Sequence, residues 1–292
     1  AFAFRFLALL AAVFVALASA VRAEGPPLWR VKTDAGEQAY LFGSIHLLPE
    51  DTHWRTPLFT AAFRSVDRLI LEVDTDGLDE FSLLNAVRDV GFFPPGQSLA
   101  DLLGEEEYAE VMRAGESLGV PELALRQFRP WYASILLATR VLDLEGATAR
   151  DGVESLLAAD ARTRKIDIGG LETLDQQMAF FAELRRETQI ALLMQTVIDI
   201  QTQPQAMDAL TEAWLSGDLG RMETTFVEPL EAFPDLYDGL LTRRNKAWAR
   251  QIKRLMRQGD ELFFAVGAAH LVGEHSLIVY LRERGLEVER LN

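Results

Sequence analysis

Two widely separated stretches of the chain repeat one local pattern. Near the amino end an apolar run leads to Gly43 and then to His46, and near the carboxyl end another leads to Gly267 and then to His270. The chain contains only 4 histidines, so this repetition indicates a shared role. Glycine allows a sharp turn at the end of a strand, and a histidine beyond the turn can project over the sheet edge. The pattern predicts that the two histidines converge on one metal ion or one substrate.

The first part of the chain has the signals of a strand–helix–strand unit. Strand-like runs over residues 28–32 and 38–42 flank an Asp/Gly turn, which predicts a β-hairpin. A helix is expected over 57–65, where the apolar residues recur at helical spacing. The run 68–74 is typical of a buried strand and ends in two carboxylates. This order of elements indicates an α/β sheet.

The rest of the chain is mostly helical in pattern. Two long helical blocks, over about 78–161 and 174–258, are separated by a short strand-like run at 165–171. The chain closes with a strand–helix–strand pattern over 261–291. We therefore predict an α/β (mixed α+β) fold with a central mixed sheet, formed by N- and C-terminal strands and interrupted by large helical insertions. No interdomain linker is evident, so residues 24–292 are expected to form a single domain.

Charge and cysteine content exclude several classes of partner and site. The net charge of −15 argues against a nucleic-acid partner, because phosphate contacts need clusters of Lys and Arg. The chain has no cysteine, so thiolate metal sites, cysteine nucleophiles and disulfides are excluded. Any bound metal must use His, Asp, Glu or backbone oxygen.

The N-terminal residues have the pattern of a secretory signal peptide. Arg5 precedes a continuous apolar run over 6–17, followed by small residues. We predict that residues 1–23 are a signal peptide, cleaved after Ala20 or Ala23, and that the protein is exported to the periplasm or secreted. The run is shorter than the roughly 20 residues that a transmembrane helix needs. The alternative is an uncleaved leader, which would be the protein's contact with a membrane.

Polar side chains lie at or just beyond the ends of four predicted strands. They are His46, Glu72 with Asp74, Glu172 and His270. In open α/β sheets, ligands bind beyond the carboxyl ends of the strands. Two histidines and one or two carboxylates suit a divalent metal ion with open coordination positions. They equally suit metal-free acid/base chemistry, in which a carboxylate orients an imidazole.

Several of these features also have a plain structural explanation. Glu172 could be an acid placed at a helix N-terminus by the helix dipole. Arg244 belongs to a basic run that is either a solvated helix face or a contact to an oxyanion or carboxylate. Residues 115–119 match the Gly-x-Ser-x-Gly pattern of serine hydrolases, but a helix precedes them where a strand is required, so a helix C-terminus is favoured. His53 and His275 are interpreted as surface residues.

Taken together, five short motifs resemble the TraB/GumN family in their order and spacing. Relatives of this family include the Tiki proteases that cleave Wnt proteins and, more distantly, erythromycin esterase and the haem-binding ChaN proteins. The resemblance extends over about residues 28–291. The motifs lie at residues 41–46, 69–74, 170–173, 244–245 and 266–273.

The resemblance implies a site built on His46, Glu72 and His270, with Glu172 and Arg244–Asn245 nearby. In the Tiki branch such residues belong to a metal-dependent protease, with manganese or cobalt favoured and zinc possible. In the esterase branch a similar set activates water without an obligatory metal. In ChaN the related fold binds haem and need not be catalytic.

The leading interpretation is an exported metal-dependent hydrolase, a peptidase acting on a peptide or small-molecule substrate. His46 and His270 would bind the metal or polarise the substrate, and Glu72 would ligate the metal or act as general base. Glu172 would be a further ligand, and Arg244 would stabilise a developing oxyanion. The alternatives are a non-catalytic protein that binds haem, metal or a peptide signal, and a metal-free esterase.

Overall fold

A computed structural model describes residues 25–74, 80–202 and 206–292 of the chain. The predicted signal peptide lies outside these residues. In the described part the strands are β1 (Leu28–Lys32), β2 (Gln38–Ser44), β3 (Leu48–Pro49), β4 (Arg68–Val73), β5 (Ala147–Thr148), β6 (Asp167–Glu172), β7 (Leu262–Gly267) and β8 (Glu287–Arg290).

Six of these strands form one mixed sheet in the order β6–β4–β7–β2–β1–β8. The first four are mutually parallel, whereas β1 is antiparallel to both β2 and β8. The predicted fold class and the β1–β2 hairpin are therefore confirmed. In the parallel β2–β7 pair, Gly43 lies opposite Val266 and Ser44 opposite Gly267. The two Gly-x-x-His motifs thus leave the sheet side by side.

Helices form most of the rest of the described chain. The α-helices are α1 (Pro57–Arg64), α2 (Glu80–Gly91), α3 (Glu105–Ser117), α4 (Glu122–Leu125), α5 (Pro130–Leu144), α6 (Val153–Arg164), α7 (Leu174–Ala182), α8 (Arg186–Thr202), α9 (Ala206–Ser216), α10 (Leu219–Phe226), α11 (Pro234–Tyr237), α12 (Arg244–Met256) and α13 (Leu277–Glu283). A π-helix spans Asp238–Arg243, and 3-10 turns span Leu99–Asp101, Glu228–Ala232 and Ala268–Leu271.

Helices pack on both faces of the sheet. Successive side chains of a strand point to opposite faces, so a strand such as β4 contributes to both cores. On β4, Leu69 and Leu71 face the core that contains α1 and α6, whereas Ile70 faces the core that contains α12 and α13. A third core lies among α3, α5 and α8, within the helical insertion. Glu72 is two residues beyond Ile70 and therefore lies on the α12 side of the sheet.

The structure answers the sequence-based interpretations of the Gly-x-Ser-x-Gly pattern and of His275. The Gly-x-Ser-x-Gly pattern lies at the end of α3, where Ser117 Oγ donates to the Ala114 carbonyl at 2.8 Å, so the helix C-terminus interpretation is confirmed. His275 is half-buried rather than a surface residue, because its ring stacks on Tyr280 and Nδ1 lies 3.0 Å from the Tyr280 hydroxyl. Within residues 25–74, 80–202 and 206–292, no helix combines the length and apolar character needed to cross a bilayer.

Candidate functional site

The predicted site residues meet at one edge of the sheet. Glu172 ends β6, Glu72 lies near the end of β4, His270 follows β7 and His46 follows β2. These strands are parallel neighbours, so their carboxyl ends face the same edge. Arg244, the first residue of α12, reaches this edge from the adjacent helix layer.

Arg244 is the centre of the cluster. Its Nη2 donates to Glu72 Oε2 and Glu172 Oε1, each at 2.7 Å, and its Nε donates to Glu172 Oε2 at 3.1 Å. Its Nη1 donates to His270 Nε2 at 3.1 Å and to the Leu240 carbonyl at 3.2 Å. A guanidinium has five N–H groups, so every one of them is engaged. The side chain is only 11% exposed.

The π-helical turn before Arg244 sets the position of the Arg244 backbone at the start of α12. The π-helix Asp238–Arg243 leads directly into α12, and such wide turns are frequent at functional sites. Gly239 in this turn packs against the ring of Phe180 so closely that a Cβ would overlap it. The Arg244 guanidinium then lies over the ring of Trp248, 4.5 Å from its centroid.

Glu172 is held by Arg244 and not by a helix terminus. The helix that follows it, α7, is capped by Thr173, whose side chain accepts from the Gln176 N–H while Gln176 bonds back to the Thr173 N–H. The carboxylate of Glu172, 9% exposed, instead takes two hydrogen bonds from Arg244. Its role as a metal ligand stays a prediction.

His270 is neutral and its tautomer follows from its neighbours. Because Arg244 can only donate, His270 Nε2 is the acceptor, and the ring proton lies on Nδ1, which donates to Asn245 Oδ1 at 2.7 Å. Asn245 is oriented in turn by its Nδ2, which donates to the His275 carbonyl at 2.8 Å. Burial lowers the pKa of His270 to about 3, and Arg244 adds to this effect while Glu72 opposes it.

Glu72 is buried and ionised. Its Oε1 accepts from the Gly267 N–H at 2.7 Å, and its Oε2 accepts from Arg244 and from Gln177 Nε2 at 3.3 Å. Burial alone would raise the pKa of Glu72, but positive charge on His270 and Arg244, with the Gly267 N–H, outweighs it and lowers the pKa to about 2. His270 is itself neutral above about pH 3, so Arg244 is the main partner at neutral pH.

His46 is held by a carboxylate that the sequence did not reveal. Its Nδ1 lies 2.9 Å from Glu154 Oε1, and the Ser44 hydroxyl donates to the same oxygen. The charge of Glu154 and its hydrogen bond to the ring raise the pKa of His46 to about 9. The ring is 61% exposed, so water screens this attraction. Gly152 packs against the His46 carbonyl so closely that a Cβ would overlap it.

Sequence reasoning missed three side chains around the site. Glu154 orients His46, Gln177 contacts Glu72, and Trp248 packs against His270 with ring centroids 4.5 Å apart. Glu154 lies in the first turn of α6, where acids are common for reasons of the helix dipole alone. Trp248 packs into the core beneath α12, and only its ring contact with His270 in the folded chain ties it to the site. Nothing in the local sequence distinguished these residues.

Three site residues converge on the space beside Gly267. A Cβ at that position would lie 3.1 Å from Glu72 Oε1, 3.6 Å from His270 Cδ2 and 3.9 Å from His46 Nε2. Both imidazoles are held at Nδ1 by a side-chain oxygen, the usual arrangement for a histidine that binds metal through Nε2. Glycine at this position therefore leaves open a small cradle lined by a carboxylate and two imidazoles.

The chemistry of this donor set fits a divalent cation. Two histidines and a glutamate form a known zinc ligand set, and three carboxylates (Glu72, Glu154 and Glu172) belong to the cluster. His46 must release its Nε2 proton to bind a metal ion, so metal binding competes with protonation of this ring. In the described part of the chain, no three His, Asp or Glu side chains have the spacing of a formed metal site. A metal bond to His270 Nε2 would replace its contact with Arg244, because that nitrogen has one lone pair.

Two cavities meet at these residues. The larger, of about 440 Å³, is lined by His46, Glu72, Arg244 and His270 and otherwise mostly by apolar side chains. The smaller, of about 280 Å³, shares His46, Glu72 and Gln177 with the first but is lined also by Glu154, Ser155 and Arg162. We call them the apolar cavity and the polar cavity. A concave apolar space with a few convergent polar groups is typical of a ligand site.

The chain matches the model of the TraB/PrgY/gumN family over residues 27–290. It is 25% identical to an uncharacterized protein of Treponema pallidum, over 93% of this chain and 84% of that protein. It is 24% identical to Metalloprotease TIKI2 of Xenopus tropicalis, over 90% of this chain and 59% of the relative. Metalloprotease TIKI1 of Danio rerio is also 24% identical, over 90% of this chain and 62% of the relative.

The coverage of the relatives and the comparison with solved structures complete these findings. The chain spans about three fifths of the length of the two TIKI metalloproteases. No solved structure matches the chain. The comparisons therefore identify relatives over nearly the whole described chain.

Proposed function

The chain belongs to the TraB/PrgY/gumN family, and on that premise we propose that it is a hydrolase that cleaves peptides with the help of a divalent metal ion. The observation that carries the proposal is the convergence of Glu72 Oε1, His46 Nε2 and the His270 ring on the cradle beside Gly267. The distant relatives named metalloproteases support a hydrolase of this kind.

His46 and His270 would hold the ion through Nε2, and Glu72 would hold it through Oε1. Such an ion supplies Lewis-acid polarisation of the scissile carbonyl and a bound water of lowered pKa. Oε1 of Glu72 faces the cradle, while Oε2 is engaged by Arg244. We therefore assign Glu72 the role of ligand. Manganese, cobalt and zinc are the ions to test.

Arg244 has a role that depends on His270. While Nη1 donates to His270 Nε2, all five N–H groups of Arg244 are engaged and none can contact a substrate. When His270 Nε2 takes another partner, one Nη1 N–H of Arg244 is released. In hydrolysis the water oxygen bonds to the carbonyl carbon, the C–N bond breaks, and a water proton ends on the leaving amine. The released N–H would stabilise the oxyanion formed on the way.

Glu172 and Asn245 position the side chains of Arg244 and His270. Glu172 takes two N–H groups of Arg244 and so fixes the plane of the guanidinium. Asn245 accepts from His270 Nδ1 and keeps Nε2 directed at the site. Neither residue needs to touch the substrate in this account.

The test is elemental analysis of the purified full chain, together with cleavage of a peptide library with and without manganese, cobalt or zinc. We expect cleavage that a chelator abolishes and that Glu72→Gln lowers by about 100-fold or more. Glu283→Gln, on the exposed surface of α13, is the matched control and should leave the rate unchanged. Ligand uptake without turnover would assign the site to binding alone.

A metal-free hydrolase is the second candidate, and the position of the Arg244 guanidinium favours it. The guanidinium of Arg244 already provides a cation that bridges Glu72, Glu172 and His270. In that case His46, which carries a proton below about pH 9, would donate a proton to the leaving group. Cleavage that survives exhaustive chelation would select this candidate and reject the metal-dependent one.

Export is proposed on the sequence pattern alone. The expected signal peptide, residues 1–23, lies outside the described part of the chain, and no structural observation bears on it. The check is sequencing of the amino end of the protein recovered from each cell fraction. An amino end at position 21 or 24 in an exported fraction is the expected result, and an intact leader in a membrane fraction would favour the anchored alternative.

A further inference from the structure

The apolar cavity is lined by apolar side chains that are not fully covered by the rest of the protein. Five of its lining side chains come from five different elements: Leu142 from α5, Phe181 from α7, Leu210 from α9, Phe226 from α10 and Leu240 from the π-helix. All five are only partly buried, so each presents apolar atoms to the cavity. We call them the wall residues.

The polar groups of this cavity are concentrated at one end. His46, Glu72, Arg244 and His270 lie together in its lining, and the N–H groups of Arg244 are directed to Glu72, Glu172, His270 and the Leu240 carbonyl and not to the wall side chains. A charged side chain lying along the wall residues would therefore lose its hydration without gaining an ionic partner, which is costly. An apolar side chain has no favourable hydration to lose, and it would remove the exposed apolar atoms of the wall residues from water.

The two cavities differ in character and share the reacting groups. Both are lined by His46, Glu72 and Gln177, but the polar cavity continues to Glu154, Ser155 and Arg162. A chain that lies across Glu72 would place one flank in the apolar cavity and the other in the polar one. An extended peptide has this form, with different side chains on the two sides of one bond.

We propose that the substrate is a peptide with a large apolar side chain, of the leucine, methionine or phenylalanine class, directly beside the scissile bond. This inference rests on the proposed function and names its substrate class. The wall residues bind that side chain, and the cavity volume of about 440 Å³ lies within the range of about 300–1,000 Å³ typical of ligand pockets. Discrimination against alanine at this position should be about tenfold or more, as is usual for several missing methylenes.

The experiment uses one peptide series in which a single position beside the cleaved bond is Phe, Leu, Ala, Asp or Lys. Both kcat/KM and the Kd of the uncleaved peptides on the Glu72→Gln protein are measured. We expect Phe and Leu to exceed Ala by about tenfold or more in both quantities. The charged residues should rank below Ala, because the wall residues offer them no partner.

A pair of variants on one helix supplies the matched control. Leu142→Asp places a carboxylate in the apolar cavity, and Leu144→Asp places one on the exposed side of the same helix, where Leu144 is 56% exposed. We expect Leu142→Asp to lose about tenfold or more on Phe and Leu peptides and to gain on the Lys peptide. Leu144→Asp should keep the original ranking. Phe226→Ala, which removes one wall side chain, should raise kcat/KM for a Trp peptide added to the series relative to the Phe peptide.

The outcomes separate this inference from the proposed function. Failure to cleave any peptide, with the apolar ranking retained in Kd, would overturn hydrolysis and uphold the binding preference. Cleavage or binding without the apolar ranking would overturn the inference and leave the proposed function standing. Hydrolysis of a long-chain acyl ester in preference to every peptide would also overturn it, since the cavity would then belong to an acyl chain.

Discussion

The guanidinium of Arg244 holds the carboxylate of Glu172 through two hydrogen bonds, from Nε to Oε2 at 3.1 Å and from Nη2 to Oε1 at 2.7 Å. Glu172 ends the edge strand β6 and Arg244 begins α12, so the pair ties the sheet edge to the helix that carries Asn245. The same guanidinium also binds Glu72. One buried cation therefore compensates two buried carboxylates.

Removal of this cation should be strongly destabilising. Arg244→Met leaves Glu72 and Glu172 buried without a charged partner, and we expect the free energy of unfolding to fall by about 3–5 kcal/mol. The measurement is urea unfolding at neutral pH. The neighbouring Arg243, 70% exposed and paired with Asp238, is the control, and Arg243→Met should change stability by less than about 1 kcal/mol. Equal effects of the two substitutions would contradict the central role of Arg244.

Asn245 should matter through the orientation of His270. Asn245→Leu removes the acceptor of His270 Nδ1, and we expect metal affinity or peptide cleavage to fall by about 10–100-fold. Asn245→Asp keeps an acceptor at the same place and adds a negative charge, so it should retain the ring orientation and raise the pKa of His270 from about 3. NMR titration of the His270 ring measures this shift. An unchanged or lowered pKa in Asn245→Asp would show that the contact is absent.

The His46–Glu154 pair should make stability depend on alkaline pH. The pKa of His46 is raised to about 9, above its ordinary value of 6.5, so the pair stabilises the fold fully below about pH 6.5 and loses this effect as the pH rises through about 9. The ring is 61% exposed, so the effect should stay below about 1 kcal/mol and shrink further in high salt.

This pH effect can be isolated with Glu154→Gln. The variant keeps an acceptor for Ser44 but removes the charge that raises the pKa of His46. Urea unfolding of both proteins near pH 6 and near pH 10 should show a difference in stability at the lower pH that narrows at the higher one. A difference that widens toward pH 10 would have the wrong sign for this pair.

Gly267 should be essential for function but not for folding. Its φ of −51° is accessible to alanine, so Gly267→Ala requires no strained backbone. The added Cβ, however, would lie 3.1 Å from Glu72 Oε1 inside the cradle. We expect peptide cleavage to fall by about 100-fold with little change in thermal midpoint. Gly104→Ala, at the start of α3 and with only ordinary contacts for a Cβ, is the control and should keep full activity.

The main features of the sheet could be predicted because apolar runs and their glycine ends are local signals. Strand β2 is predicted over residues 38–42 and extends to Ser44. Strand β7, Leu262–Gly267, is the first strand of the strand–helix–strand pattern predicted over 261–291. The placement of His46, Glu72, Glu172 and His270 at one edge followed from the carboxyl-end rule for parallel strands.

The contacts inside the site could not be predicted, because they join residues far apart in the chain. Glu154 meets His46 only because α6 begins beside the end of β2, where the Val153 N–H donates to the Ile45 carbonyl at 3.0 Å. The engagement of all five N–H groups of Arg244 depends on strands β4 and β6 and on the turn after β7. No spacing in the sequence encodes such a meeting.

The most direct test of the account is a titration of metal-stripped protein with Mn²⁺, in which the rate of cleavage of one peptide with leucine beside the scissile bond is followed. We expect a rate near zero without metal and a saturable rise on addition of Mn²⁺. In Glu72→Gln the rise should be about 100-fold smaller, since the ligand Oε1 is replaced. A rate that is independent of metal, or a rise of equal size in Glu72→Gln, would contradict the claim that Glu72, His46 and His270 form a metal-dependent hydrolytic site.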